Sequence, residues 1–418
     1  MNTNNQFNNK PLPPHKVQQF IENVRVLDEL AKPVSNIEIL KSYKGFGGLK
    51  RCFWDKNLYG QLMRAIRANV GVDKEKTTLE SLRNTSSSAY YTPQAVIDFM
   101  YRYLEQVCNF KGGDILEPSC GNGAFFEYMP EHIKANSKIT AVEYDTLTAK
   151  LVGTLYADIE VINQPLQEVN FSNKKYDLII GNPPYSAEKV NDTAMEDISG
   201  YTIHNYFIAR AVRLLKDNGL LAFVMPSFFM DKPKGHTRHI VDNEAVIIDV
   251  VRLPDNLFDQ ATVTVDLVFI RKTGKKIHDI TNTMELMQGN AKDEINQFWV
   301  KNPNRVLGEL KLKWVECYKN YVPTCQTQNK EQALKYLAVC DFKQETIENY
   351  KTITSNSIAI SSNNTQLPES LYHIFLEVEK EETALRNDVK TLIDRVNNLA
   401  DTRNRLFDII ARLENLAA

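Results

Sequence analysis

Between residues 89 and 272, short apolar runs alternate with segments whose apolar residues recur at helical spacing. The short runs predict strands and the periodic segments predict helices. Such alternation is typical of a mostly parallel sheet covered by helices on both faces, with ligands bound outside the carboxyl ends of the strands. Seven strands are predicted, starting near Asp114, Ile139, Ile159, Asp177, Leu220, Ala245 and Val265, and helices are predicted over 94–107, 146–156 and 203–216.

The pattern differs on both sides of this α/β region. Residues 1–16 are rich in Asn and Pro and predict a disordered lead-in. Residues 17–88 have helical spacing interrupted by GFGG at 45–48, which predicts a helical N-terminal arm. We therefore place the α/β domain at 89–276, followed by a separate and less regular module at 277–370.

A long helix is predicted for residues 371–418. Its apolar positions follow a 3,4 repeat with β-branched residues at one core position and Leu at the other, which suggests a parallel two-stranded coil. Glu382 and Arg403 fall on that seam, and Ile393, Ala400 and Phe407 widen the apolar face, as in helix bundles. We favour packing against several helices, which belong to this chain, to a second copy or to a partner protein.

Charge and cysteine content narrow the class of protein. The net charge of -2 over 418 residues argues against non-specific coating of nucleic acid. Two basic stretches stand out: residues 41–83, with ten Lys/Arg against four Asp/Glu, and RKTGKK at 271–276. We interpret both as candidate phosphate contacts. The apolar runs are too short to span a membrane, so the cytoplasm is the expected location. The six cysteines form no metal-ligand pattern.

A glycine-containing segment follows the first predicted strand. EPSCGNGAF at 117–125 opens a helix, so its backbone is expected to approach a ligand closely. Glu143 ends the next strand 20 residues after Gly123, the spacing at which an acidic side chain reaches ribose hydroxyls. A third glycine for a pyrophosphate is missing, which favours a nucleoside such as S-adenosylmethionine. A tight turn of an unrelated α/β protein is the alternative for this segment alone.

DLIIGNPPY at 177–185 ends the fourth strand with more rigidity than a turn requires. Each proline fixes φ and removes an N–H donor, so carbonyl groups stay directed into a pocket. The Asn182 side-chain oxygen and the Pro183 carbonyl are suited to accept the two hydrogens of a planar amine, which localises its lone pair. Pro184 holds this geometry, and Tyr185 offers a flat face for a base taken out of its helix.

EPSCGNG, AVEYD and DLIIGNPPY, in this order, resemble the motifs of N6-adenine-specific DNA methyltransferases, and AYYTP at 89–93 is similar to the segment that closes over the cofactor's methionine end. KGFGGL at 44–49 and residues 252–272 are similar to adenine-methylase modules of plasmid and phage proteins. The resemblance covers residues 41–276 and implies a Rossmann-like S-adenosylmethionine-dependent methyltransferase fold with double-stranded DNA as substrate. It also implies a cofactor site formed by Tyr91, Thr92, Glu117, Ser119, Cys120, Gly121, Gly123, Glu143, Tyr144 and Gln164, with Asn182, Pro183, Pro184, Tyr185 and Phe269 at the target base.

Two assignments are less direct. Gln164 occupies a position where the family often has an Asp that binds the cofactor's adenine amine, and its amide oxygen can accept the same hydrogen bond. Phe269 is chosen as the second aromatic that sandwiches the base, and a one-residue error in an alternating strand would select the wrong face.

Several functional alternatives remain at this stage. A protein glutamine methyltransferase faces the same planar amine and can use the same loop. A DNA-binding or scaffold protein with a vestigial pocket is a non-enzymatic alternative. The segment 186–202 is either a flexible lid or an ordinary loop. We assign a possible role in target recognition to 277–370, although neither a recognition sequence nor a cognate restriction enzyme follows from the residues.

Overall fold

The computed structural model describes residues 12–86, 91–232, 236–258, 263–276, 278–316, 319–327, 329–339, 342 and 344–355. The predicted helix at 371–418 lies outside these residues, as does most of the predicted lead-in. The first helix begins at Pro14, inside the segment predicted to be disordered. Among the described residues, no helix has the length and apolar character needed to cross a membrane.

A seven-stranded sheet forms the centre of the molecule. Its strands are β1 Asp114–Glu117, β2 Lys138–Val142, β3 Glu160–Ile162, β4 Tyr176–Gly181, β5 Leu215–Pro226, β6 Val246–Leu253 and β7 Val265–Arg271. They lie in the order β3-β2-β1-β4-β5-β7-β6, and β7 runs antiparallel to both of its neighbours. All seven predicted strands are present, and the predicted Rossmann-like α/β fold is confirmed.

Helices cover both faces of the sheet, as the alternation predicts. Successive β4 side chains enter different cores: Leu178 and Ile180 face one, and Ile179 faces the other. The helices are α1 Pro14–Leu30, α2 Ile37–Lys41, α3 Lys56–Val70, α4 Glu75–Thr85, α5 Gln94–Gln106, α6 Ala124–Glu127, α7 Glu131–Ala135, α8 Thr146–Leu155, α9 Ile203–Leu214, α10 Phe228–Asp231, α11 His236–Glu244, α12 Gln297–Lys301, α13 Lys330–Val339 and α14 Gln344–Ser355.

The N-terminal arm packs against α8, the helix between β2 and β3. Its helices α1 to α4 enclose a third core, which also contains Leu147 and Leu151 of α8. An ion pair of 2.8 Å between Lys41 and Glu127 joins α2 to the segment after the glycine loop. The arm is therefore part of the same packed body as the sheet.

Residues 278–355 contain two antiparallel hairpins. These are β8 Thr283–Gln288 with β9 Ala291–Asn296, and β10 Glu309–Val315 with β11 Asn320–Gln326. Phe298 and Trp299 enter one core of the central sheet, while Leu337 and Ile353 enter the other. Within the described residues, this region shares the cores of the sheet, so the expectation of a separate module is wrong for this part of the chain.

A buried charged cluster joins that region to β6 and β7. Arg252 is fully buried; its guanidinium donates to Asp266 over 2.8 and 2.9 Å and lies 2.8 Å from the Asp231 carboxylate. The guanidinium carbon is 4.2 Å from the centroid of the Trp299 ring, and the Trp299 indole donates to Asp231 over 3.0 Å. Burial raises the pKa of Asp266 to about 6, while the Arg252 charge opposes that shift. One cation therefore compensates two buried carboxylates.

We predict that Arg252→Met lowers the free energy of unfolding by about 3–5 kcal/mol, because it leaves two buried carboxylates without their cation. Lys276→Met is the control, since it breaks an exposed ion pair with Asp242 and should cost at most about 1 kcal/mol. Chemical denaturation of both variants measures the difference. Equal losses would show that the Arg252 cluster does not hold the region in place.

Candidate active site

One cavity of about 360 Å³ opens at the carboxyl ends of β1, β2 and β4. This is the edge at which a parallel α/β sheet binds its ligands. Most residues predicted from the sequence line it: Tyr91, Thr92, Glu117, Ser119, Cys120, Gly121, Glu143, Tyr144, Gln164, Asn182 and Pro184. Gly123, Pro183, Tyr185 and Phe269 are not among the lining residues.

The glycine loop needs two residues without side chains. Gly121 and Gly123 have φ of 53° and 81°, in the left-handed region that favours glycine. A Cβ on Gly121 would lie 2.9 Å from Cε1 of Tyr91, and one on Gly123 would lie 2.6 Å from Cε2 of Tyr156. Gly121 therefore shapes the cavity wall, whereas Gly123 leaves room for the Tyr156 ring at the end of α8.

Glu143 holds the glycine loop in position. Its carboxylate accepts hydrogen bonds from the backbone N–H of Gly121 and of Asp145, both at 2.8 Å. Burial raises the pKa of Glu143 to about 7, although these two donors favour the ionised form. The carboxyl group therefore titrates near neutral pH while it lines the cavity.

Glu117 and Thr92 present buried polar atoms to the same cavity. Among the described residues, neither Oε2 of Glu117 nor Oγ1 of Thr92 has a hydrogen-bond partner. Burial, followed by the charge of Glu143, raises the pKa of Glu117 well above its usual range. A buried acceptor without a partner is costly, so these atoms fit a ligand that brings donors, such as the ammonium group of S-adenosylmethionine.

Cys120 does not have the surroundings of a nucleophile. Its side chain is buried, and burial together with Glu143 and Glu117 raises the pKa of the thiol well above its usual range. Its backbone N–H donates to the Val142 carbonyl over 3.0 Å. The residue thus ties the glycine loop to β2 and stays in the neutral thiol form.

Tyr144 and Gln164 lie together on another wall of the cavity. The Asn163 amide donates to the carbonyls of Glu143 and Tyr144, at 2.8 and 3.1 Å, and so joins the end of β3 to the end of β2. Tyr144 is 38% exposed. A planar ligand could therefore contact the ring without displacing protein.

The Asn-Pro-Pro-Tyr loop lies directly beside the glycine loop. Because β4 pairs with β1, its end meets the start of that loop, and the Ser119 hydroxyl donates to the Asn182 carbonyl over 3.3 Å. The Tyr185 hydroxyl donates to the Val224 carbonyl of β5 over 2.7 Å. The loop is therefore fixed at both ends, and its aromatic ring is anchored to the neighbouring strand.

The assignment of Phe269 to the target base is wrong. Phe269 is fully buried in β7 and stacks on Tyr103, with ring centroids 4.0 Å apart. Its neighbours Val268 and Ile270 are also fully buried, on the opposite face. β7 lies between β5 and β6 with both faces covered, so a shift of one residue would not reach the cavity either.

The basic stretch at 271–276 also lies away from the site. Arg271 pairs with Leu220, in the first half of β5, and with Val246, the first residue of β6, so it lies toward the amino ends of these strands and away from the cavity. Lys276 forms an ion pair with Asp242. Because β7 is antiparallel, its end points away from the carboxyl edge of the parallel strands, and the interpretation of this stretch as a phosphate contact at the site is not supported.

Sequence reasoning missed several groups of lining residues, including 165–168 directly after Gln164. Asn84 and Thr85 reach the cavity from the end of α4, in the N-terminal arm. A further group follows the Asn-Pro-Pro-Tyr loop, and its place directly after Tyr185 was the available signal. Its members are Ser186, Glu188, Lys189, Val190, Asn191, Ile203 and Phe207.

The segment 186–202 is held by a buried anchor. Asp192 is buried and accepts hydrogen bonds from the Tyr206 hydroxyl and, over 2.6 Å, from the Arg210 guanidinium. Burial opposes ionisation of Asp192, but these donors hold its pKa below the usual range. Val190 also exchanges backbone hydrogen bonds with Tyr201 and Gly200, at 2.9 and 2.7 Å. The segment is packed against α9 and contributes a wall of the cavity.

Comparison with known proteins agrees with this arrangement. The family described as N-6 DNA Methylase matches residues 77–353. The modification methylase CviBIII of Paramecium bursaria Chlorella virus NC1A is 29% identical over 38% of this chain and 42% of that protein. The type II methyltransferase M.CvrRI of Paramecium bursaria Chlorella virus XZ-6E is 28% identical over 46% of this chain and 51% of that protein.

A release factor glutamine methyltransferase of Fusobacterium nucleatum is also similar, with 25% identity over 33% of this chain and 43% of that protein. The chain spans about half the length, or less, of these three relatives. The family match is longer and includes the glycine loop, Glu143, the Asn-Pro-Pro-Tyr loop and most of residues 278–355, the hairpin region. Since it covers most of the 418 residues, the chain belongs to the N-6 DNA methylase family.

Proposed function

We propose that this protein transfers a methyl group from S-adenosylmethionine to the exocyclic N6 amine of an adenine in double-stranded DNA. The observation that carries the proposal is that the buried carboxyl groups of Glu117 and Glu143 line the same cavity as Asn182 and Pro184. Family membership supports DNA as the substrate, and the names of the two viral relatives support methyl transfer.

The residues of the cavity match the parts of the cofactor. Bound S-adenosylmethionine supplies a methyl group on a positively charged sulfur, which needs no metal to react. Glu117 and Thr92 accept hydrogen bonds from its ammonium end, and Glu143 accepts them from its ribose hydroxyls. Tyr144 lies against its adenine, and the amide oxygen of Gln164 accepts from its adenine amine. These carboxylates are buried, so a cationic ligand also relieves their desolvation.

Asn182 and Pro183 act on the target amine. The lone pair of an exocyclic amine is delocalised into the ring, which makes it a poor nucleophile. The Asn182 side-chain oxygen and the Pro183 carbonyl accept its two hydrogens, and this favours the tetrahedral nitrogen of the transition state. Ser119 holds the Asn182 carbonyl, so the loop does not have to reorganise during the reaction.

Two other functions compete with this proposal. A protein glutamine methyltransferase would use the same loop, and one relative carries that name. The hairpin region and the basic N-terminal arm favour DNA, because a large substrate needs contacts beyond the cavity. A scaffold with a vestigial pocket would not need a buried acceptor such as Oε2 of Glu117, for which the described residues provide no hydrogen-bond partner.

The proposal is tested by sequencing DNA from cells that express the protein, with detection of modified adenine. We expect N6-methyladenine in one sequence context, absent from cells that express Asn182→Ala. Methylated glutamine in a protein, with unmodified DNA, would instead establish the competing enzyme class. Partner assembly through 371–418 stays a prediction, because these residues lie outside the described structure.

We predict that Glu143→Gln lowers the affinity for S-adenosylmethionine at least tenfold, about 1.4 kcal/mol. The pKa of Glu143 is about 7, and the ligand binds the ionised form. Wild-type binding should therefore strengthen as the pH rises through 7 and release protons, and the variant should release fewer. Calorimetry in two buffers of different ionisation enthalpy measures this. Glu160→Gln, at the exposed start of β3, is the control. Unchanged affinity and proton release would contradict the ribose assignment.

We predict that Asn182→Ala binds cofactor and DNA normally but slows methyl transfer about 100-fold or more, because its acceptor serves mainly the transition state. Ser119→Ala keeps that acceptor and removes the hydrogen bond to the Asn182 carbonyl, so its loss in the chemical step, measured at saturating cofactor, should be smaller. Single-turnover transfer to duplex DNA separates the chemical step from binding. A defect of Asn182→Ala confined to binding would remove the residue from the chemistry.

Tyr185→Ala should lose most transfer activity, because a flipped base loses a stacking surface worth about 1–3 kcal/mol. Tyr185→Phe is the matched control, since it keeps the ring and loses only the hydrogen bond to Val224. A mismatch opposite the target adenine lowers the cost of flipping and should rescue DNA binding by the Ala variant more than by the Phe variant. The measurement is the affinity of both variants for matched and mismatched duplexes. An equal increase in affinity for the two variants would mean that the Tyr185 ring serves packing alone.

A further inference from the structure

The end of α4 forms part of the cavity wall. Asn84 and Thr85 line the cavity together with Tyr144, although they lie far upstream in the sequence. The Asn84 side-chain amide donates to the Tyr144 hydroxyl over 3.1 Å. This hydrogen bond connects the N-terminal arm directly to a residue that lines the adenosine side of the proposed cofactor site.

Several contacts fix this end of the arm. The Ser81 hydroxyl, one turn before Asn84, donates to the Asp145 carboxylate over 3.1 Å, and Asp145 accepts from the Thr148 backbone N–H at the start of α8. Burial raises the pKa of Asp145, so it depends on such donors. The end of α4 is thereby held against the residue that follows Tyr144, and Asn84 is placed by the fold.

A second part of the arm contacts another lining residue, Tyr91. A Cβ on Gly45 would lie 2.4 Å from the Tyr91 hydroxyl, and one on Gly121 would lie 2.9 Å from Cε1 of the same ring. Tyr91 is therefore enclosed between the GFGG turn and the glycine loop. The Asn122 amide also donates to the Tyr43 carbonyl over 3.5 Å. The arm thus touches the cavity from two directions.

We propose that Asn84 is a cofactor-positioning residue, through which the N-terminal arm fixes the Tyr144 ring for the adenine of S-adenosylmethionine. The inference rests on the proposed function. Tyr144 is 38% exposed, so packing alone constrains its ring little. The hydrogen bond from Asn84 limits the ring's freedom before the ligand arrives, and a surface ordered in advance loses less entropy on binding.

A double-mutant cycle tests the proposal by calorimetry with S-adenosylmethionine and with its demethylated product, without DNA. Asn84→Ala and Tyr144→Phe each remove one partner of the hydrogen bond, and each should weaken binding about 3- to 10-fold. The affinity of the double variant should equal that of the single variant with the lower affinity, because the two substitutions remove the same hydrogen bond. Asn84→Asp should restore affinity, since its carboxylate accepts from the tyrosine hydroxyl.

The control is Thr77→Ala, an exposed change on the same helix that leaves the cavity untouched. Thermal unfolding without cofactor shows whether Asn84→Ala destabilises the arm; if it does, Tyr144→Phe, which leaves the arm unchanged, carries the test. Additive losses, or normal binding by Asn84→Ala, would overturn the positioning role. Failure of the wild-type protein to bind either ligand would instead contradict the proposed function itself.

Discussion

The site depends on the burial of two carboxyl groups at the ends of adjacent parallel strands. Ionised carboxylates are costly inside a protein unless donors or cations compensate them. Glu143 is compensated by two backbone N–H groups, and in doing so it fixes the glycine loop. Glu117 has an oxygen that no described residue satisfies. Backbone donors of the protein thus satisfy Glu143, while Glu117 has an acceptor left for a ligand, which explains why the cavity suits a cation with several donors.

Strand order explains why two motifs far apart in sequence share this cavity. β1 lies between β2 and β4, so the segments that follow these three strands emerge side by side at one edge. The Ser119 hydroxyl reaches the Asn182 carbonyl for this reason. The antiparallel direction of β7 has the opposite effect, since it carries Arg271 and the basic residues after it to the far edge. The same topology therefore brings the glycine loop and the Asn-Pro-Pro-Tyr loop together and places the basic stretch 271–276 away from them.

Features that depend on a local sequence pattern were predicted correctly. Contacts between segments that are distant in the sequence were not predicted. Apolar alternation located all seven strands, and most of the residues assigned from the glycine and proline motifs line the cavity, because each motif acts within a few residues of its strand end. Phe269 was misplaced because periodicity does not reveal that both faces of β7 are covered. Asn84 was missed because only the packing of the arm on α8 brings it to Tyr144. Arg252, which contacts Trp299 in the hairpin region, could not be distinguished in the sequence from a surface charge.

The regions on either side of the α/β domain support different halves of the site. The N-terminal arm shares a core with α8 and contacts the walls formed by Tyr91 and Tyr144, so it stabilises the half that fits the cofactor. The hairpin region is joined through Trp299 and Arg252 to Asp266, and Asp266 pairs with Met225, next to the Val224 carbonyl that holds the Tyr185 hydroxyl. A change in the hairpin region therefore has a short physical route to the residue proposed to face the target base. The hairpin region thus meets the Asn-Pro-Pro-Tyr side of the cavity through β5, β6 and β7, whereas the N-terminal arm meets the glycine-loop side through α8, because each packs on different strands of the same sheet.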